Sequence, residues 1–376
     1  MRRVGVIVGA VVLAFSAVGV RAAGDDARFG EIPGSMVAAL EATEVPAVSA
    51  AAADETGVVF ADAAGVRVAR GSSEVERDDA FHIGSCTKAM TATLVGMAVE
   101  EGKLRWDMTL SEALPDIAGA MHEKYKGVTI AQLLRHRSGM ASFTSGVAPE
   151  NALMQGLEGD ARAQRAAFAE RVLSIEPAGE VGAFEYSNGG YGVAAAIVER
   201  ALDASWEDLM RERLFGPLEM RTAGFGWPAT EAHPGAPRGH YADARFGDRP
   251  QSLKDSYKLP PAIAPAGDVH CSSADLARFA RMHLLGLLGE DGLLRSDTIR
   301  SLHEPDGDYA AGWGEVVRDG RAISAHDGSA GTFYTRVIVI PGEGVAIVAQ
   351  TNTGRGGEAV GKVCEAMLEV VRGEKE

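Results

Sequence analysis

Strand-forming patterns are confined to the two ends of this 376-residue chain, and the long middle reads as helix and loop. Near the N-terminus, Pro46 to Ala53 and Val58 to Ala64 read as strands joined across Asp54-Glu55-Thr56-Gly57. Near the C-terminus come Trp313 to Arg318, a turn at Asp319-Gly320, Arg321 to His326, Thr332 to Ile340, a Pro341-Gly342-Glu343-Gly344 turn and Val345 to Thr351. Helical patterns at Ile32 to Glu44 and about Glu358 to Val371 flank the two groups. Short strands must share a sheet to bury a face, so the two ends are expected to form one antiparallel sheet interrupted by a helical insertion. The expected fold class is α/β of the α+β kind: a sheet domain from residues 25–80 and 267–376, and an inserted all-helical domain from 81–266.

Within the insertion, Ser85 to Glu101 carries helical spacing, Thr129 to Arg135, the Ala-rich Asp160 to Ser174 and Ser187 to Leu202 read as helices, and Ser205 with Asp208 has the form of a capping box. Seven of the fifteen prolines fall between Pro228 and Pro265, which excludes regular helix and predicts a long loop layer, 224–265, over the site. Ser273 and Ser296 are expected to cap two further helices.

Met1-Arg2-Arg3 followed by charge-free residues to Val20 and small residues around Ala22 reads as a signal peptide, 1–22, cleaved after Ala22, with an uncleaved anchor as the alternative. The body is therefore expected to be periplasmic or secreted. A net charge of −15 disfavours nucleic acid and anionic lipid as partners. Cys86, Cys271 and Cys364 allow at most one intramolecular disulfide and exclude a disulfide-stapled scaffold.

Chemistry enters at Phe81-His82-Ile83-Gly84-Ser85-Cys86-Thr87-Lys88. Residues three apart on a helix are neighbours, so the Lys88 amine can fold back onto the Ser85 hydroxyl and take its proton during attack on a carbonyl. The helix start places the Ser85 N–H and a partial positive charge where an oxyanion would grow. Such a lysine must be neutral, which requires burial or a nearby cation. Cys86 is turned about 100° away and is not read as the nucleophile. A Ser-x-x-Lys pattern is expected roughly 0.45 times by chance in this composition, so its context carries the reading.

Tyr186-Ser187-Asn188 is rarer, at roughly 0.06 chance occurrences. It stands where an extended piece enters a Ser-capped helix, from which a phenol can relay a proton and a carboxamide can orient a lysine and a substrate. His326-Asp327-Gly328, before Ser329, lies at the end of one predicted strand, among small residues that permit close substrate approach.

Together with Leu133-Leu134-Arg135-His136-Arg137-Ser138-Gly139-Met140 and Pro265-Ala266-Gly267, these motifs resemble the serine β-lactamase and penicillin-binding protein family, nearest to class C β-lactamases and the related esterases and D-stereospecific peptidases. The likeness runs from about residue 32 to 372. It implies a β-lactamase/transpeptidase-like fold with the active site between sheet and insertion, no cofactor and no metal, and a small-molecule or peptide substrate. It further implies a Ser85 acyl-enzyme, Lys88 as base, Tyr186 as proton shuttle, Asn188 holding Lys88 and substrate, and His326, Gly328 and Ser329 on the substrate side, with the Ser85 and Ser329 amides as oxyanion hole. Esterase or amidase activity is favoured, because Asp327 replaces the hydroxyl that in Lys-Thr-Gly members helps bind a substrate carboxylate. D-Ala-D-Ala carboxypeptidase or β-lactamase activity is the alternative, and a non-catalytic penicilloyl- or wall-peptide-binding sensor the second. His326 as a cation that lowers the lysine pKa is a further expectation, while oligomeric state stays open.

No G-x-S-x-G elbow or H-E-x-x-H zinc motif occurs. Gly356 to Lys362 fits a phosphate-loop spacing by chance only, with Val363 where a hydroxyl is needed.

Overall fold

The structure, a computed structural model, describes residues 26–144, 148–243, 247–254, 259–318 and 321–373. The signal-peptide segment 1–22 and the Asp319-Gly320 turn lie outside the described residues.

Strands from both chain ends form one six-stranded antiparallel sheet. They are β1 (Ala47–Asp54), β2 (Gly57–Gly65), β3 (Gly314–Arg318), β4 (Arg321–Ser329), β5 (Tyr334–Ile340) and β6 (Val345–Thr351), in the order β2-β1-β6-β5-β4-β3. The N-terminal hairpin thus joins the C-terminal meander through β1 against β6, with Val48 opposite Thr351 and Asp54 opposite Val345. Alternation then feeds two cores. Ala51, Ala53, Val337 and Val348 face the core shared with α2 (Thr87–Glu100) and α5 (Ser273–Leu288). Ala50, Ala52, Ile338 and Ile347 face α1 (Ile32–Thr43) and α7 (Gly357–Arg372). Alanine is a poor strand former, yet β1 is central and helix-covered on both faces, and its residues 47–53 are buried.

The middle of the chain carries α3 (Ala161–Leu173), started by Asp160, and α4 (Asn188–Leu202), started by Ser187, whose hydroxyl accepts from the Gly190 N–H. It also carries short strands that the sequence patterns do not give. Phe81–His82, Gly224–Phe225 and Val269–Cys271 form a three-stranded sheet, and His240–Asp243 with Gly247–Pro250 a two-stranded ribbon inside the proline-rich stretch.

Three local expectations are corrected. Ser272 caps α5 in place of Ser273, accepting from the Asp275 N–H. Ser296 is the first residue of α6 (Ser296–His303) and does not cap it; the Ser296 N–H is taken by Asp291. His326-Asp327-Gly328 lies within β4, which stays paired to β5 as far as Ser329 opposite Tyr334. Among the described residues, no helix is long and apolar enough to cross a membrane.

Candidate active site

Ser85 sits in a single 3₁₀ turn, Gly84–Cys86, immediately before α2, so its amide belongs to the first-turn N–H groups that helical bonding leaves unused. Gly84 adopts φ +50°, and a Cβ there would overlap the Ser329 backbone nitrogen. A Cβ on Gly328 would overlap the Ile83 carbonyl. The two glycines therefore let the end of β4 press against the turn that carries Ser85, which brings the Ser329 backbone to the nucleophile. Cys86 points the other way: its thiol lies 3.4 Å from the His326 carbonyl, fully buried, with its pKa pushed up by burial.

One turn along α2, Lys88 is completely buried. Its Nζ lies 3.1 Å from Ser85 Oγ, 2.7 Å from Asn188 Oδ1 and 2.8 Å from the Ala266 carbonyl. Asn188 Nδ2 donates to the Phe143 carbonyl at 3.0 Å, so the amide is oriented with Oδ1 toward the lysine. Two of the three partners can only accept. A neutral amine satisfies both with its N–H groups and keeps its lone pair for the Ser85 hydroxyl, the arrangement a general base requires. Burial acts in the same direction and holds the Lys88 pKa well below its usual 10.5. Trp206 Nε1 donates to Thr91 Oγ1 at 3.0 Å and Thr91 donates to the Pro265 carbonyl at 2.7 Å, fixing the segment that offers the Ala266 oxygen.

Tyr186 places its ring 4.7 Å from Lys88 Nζ, with its hydroxyl on the Ser85 side. Burial raises its pKa, so it is a neutral phenol able to pass a proton rather than a standing phenolate. Ser85, Lys88, Tyr186 and Asn188, spread over about a hundred residues of sequence, thus converge on one point.

His326 departs from its expected part. Its Nδ1 bonds the Asp327 carbonyl at 2.6 Å, so that nitrogen carries the proton, and Nε2 accepts from the Tyr309 hydroxyl at 3.0 Å. Burial pulls its pKa down to about 4. The ring is neutral at neutral pH, and the expectation of a His326 cation is corrected: desolvation outweighs the neighbouring Asp327 carboxylate. Asp327 projects from the opposite face of β4, where Arg336 clasps its carboxylate at 2.6 and 2.7 Å and the Tyr334 hydroxyl donates at 2.7 Å.

Two residues of the cluster had no role assigned from sequence. Tyr309, in the loop before β3, lies in no motif and is found only by folding. His136 lies in Leu133–Met140 and signals itself only by that context. Its ring centroid is 4.3 Å from Tyr186, 4.7 Å from Tyr309 and 5.4 Å from Tyr191, and its Nδ1 accepts the Ser187 N–H at 3.1 Å. His136 and Phe143 both hold positive φ, 58° and 52°, so the loop between them is strained where it grips the Tyr186–Asn188 segment.

A Beta-lactamase family model matches residues 35–371. Penicillin-binding protein 4 of Amycolatopsis lactamdurans is 32% identical over 74% of this chain and 74% of its own. An unguisins hydrolase of Aspergillus campestris is 28% identical over 75% of this chain, which spans 54% of that relative's length. The D-amino acid amidase of Ochrobactrum anthropi superposes with a TM-score of 0.72 at 20% identity, covering 92% of this chain and 100% of the amidase.

Proposed function

The chain belongs to the Beta-lactamase family and is a serine hydrolase, and from that premise we propose that it is an exported enzyme that cleaves neutral esters or amides through a Ser85 acyl-enzyme. The observation that carries this reading is the buried Lys88 amine set between two obligate acceptors and the Ser85 hydroxyl. Ser85 Oγ attacks the carbonyl carbon while its proton passes to Lys88 Nζ. The oxyanion forms against the amides of Ser85 and Ser329. As the bond to the leaving group breaks, the proton returns through Tyr186 to the departing oxygen or nitrogen, and water, deprotonated by the same groups, later releases the acid. Asn188 holds the lysine and meets the substrate. The charge-free N-terminal run supports export. By the same reading, residues 25–80 and 267–376 form the sheet domain and 81–266 the insertion, with Ser85 at their junction.

A preference for neutral substrates over carboxylate-bearing lactams follows from charge. Lys88 and His326 are neutral, and Arg336 is compensated by Asp327, so these groups give a substrate carboxylate no uncompensated cation. Turnover of a chromogenic cephalosporin, short-chain aryl esters and D-amino-acid amides, with Ser85→Ala as control, tests the reading. Esters or amides turned over faster than the cephalosporin, with loss of all activity in the variant, is the expected result. A faster cephalosporin overturns the preference, and a stable acyl adduct without turnover makes the protein a sensor.

A further inference from the structure

Beside Tyr186 a cavity of about 560 Å³ opens, within the range of small-molecule sites. Tyr186 and His326 form one wall. The cavity then turns around the edge of β4. Strand β3 pairs only as far as Gly314 opposite Ala325, so residues beyond Ala325 have no β3 neighbour and both faces of β4 line the same space. The far wall is apolar: Ile323 and Ala325 of β4, Ile338 of β5 and Leu368 of α7. The Asp327–Arg336 pair closes the rim with its charges mutually compensated.

We propose that this cavity is a leaving-group subsite that selects esters and amides whose departing alcohol, phenol or amine carries a bulky, uncharged apolar group. The inference rests on the hydrolase reading above. The side is fixed by Tyr186, which hands the proton to the leaving group and borders the cavity, whereas the Ser85 and Ser329 amides that receive the oxyanion do not border it. The chemistry is fixed by the lining. Four aliphatic side chains reward apolar area removed from water, and a rim whose arginine is already clasped rewards no anion.

The test uses two acetate esters with leaving groups of similar acidity and different length, phenyl acetate and 4-biphenylyl acetate. The wild-type protein is expected to favour the biphenylyl ester in kcat/KM by about tenfold or more. Ala325→Leu and Leu368→Trp, which fill the cavity from two different elements, are each expected to bring that ratio to about one. A misfolded fraction lowers both rates equally and leaves the ratio untouched, so the ratio reports the cavity and not stability. A wild-type ratio near one, or a ratio unchanged in both variants while phenyl acetate turnover still depends on Ser85, overturns the subsite and leaves the hydrolase reading standing. Turnover of neither ester, or turnover indifferent to Ser85→Ala, removes that reading and the subsite together.

Discussion

At the scale of the residue, the chemistry of the site depends on which groups are charged. Lys88 is protonated in the unfolded chain at neutral pH and neutral in the folded one, so the unfolded state binds more protons and stability rises with pH from the depressed folded pKa up to 10.5. Lys88→Met removes that pH dependence, while stranding the Asn188 and Ala266 acceptors at every pH. The melting temperature of the variant relative to the wild type is therefore expected to fall by about 2 °C or more between pH 7 and pH 10; a difference that stays constant with pH contradicts a neutral lysine. His326 makes the complementary case. With its pKa near 4, it contributes no charge change above about pH 5, so His326→Gln is expected to leave the acid limb of the kcat/KM profile within about 0.3 pH unit of the wild type. Had it been a cation beside Lys88, its loss would move that limb upward. The Ser85–Lys88 pair was legible because helix geometry makes residues three apart neighbours. The charge of His326 was not, because it depends on burial that only the folded chain creates.

At the scale of the element, the site is held by segments distant in sequence. His136 braces Tyr186 by ring contact and holds the Ser187 N–H through Nδ1, two functions that substitution can separate. His136→Asn keeps an acceptor near the Nδ1 position, and His136→Phe keeps a ring. Both are expected to lower kcat by about tenfold or more with little change in KM, since a displaced proton relay acts in the transition state. A purely structural role would instead lower the active fraction and leave the pH profile of the remainder unchanged. Deeper in the insertion, fully buried Arg165 of α3 bonds Glu199 of α4 at 2.6 and 2.9 Å, Glu207 at 2.6 and 3.0 Å, and the Pro261 carbonyl at 3.2 Å. The last contact lies five residues before Ala266, and Gly192 of α4 lets that segment pass, since a Cβ there would overlap the Ala262 carbonyl. Arg165→Ala strands two carboxylates and is expected to cost about 3–5 kcal/mol, read as a lower denaturant midpoint. A helix with a capping residue and an alanine-rich body, such as 161–173, was readable. The strands Phe81–His82 and Gly224–Phe225 were not, because two residues carry no period.

At the scale of the whole molecule, the sheet is closed by the first strands of the chain pairing with the last, and this arrangement was legible because alternation survives at both ends while the middle lacks it. Closure puts β4 against the turn before α2, so strands from the C-terminus complete a site begun at residue 85. The cavity beside Tyr186 could not be read from sequence, since it exists only where β3 ends short of β4 and α7 lies behind. Whether a neutral Lys88 makes Ser85 the nucleophile is decided by treating the protein with an activated acyl ester at pH 7, quenching in acid and mapping the adduct by peptide mass. One acyl group on the peptide that contains Ser85, absent from Ser85→Ala and strongly slowed in Lys88→Met, is the predicted result. An adduct elsewhere in the chain, or equal labelling of Ser85→Ala, would contradict it.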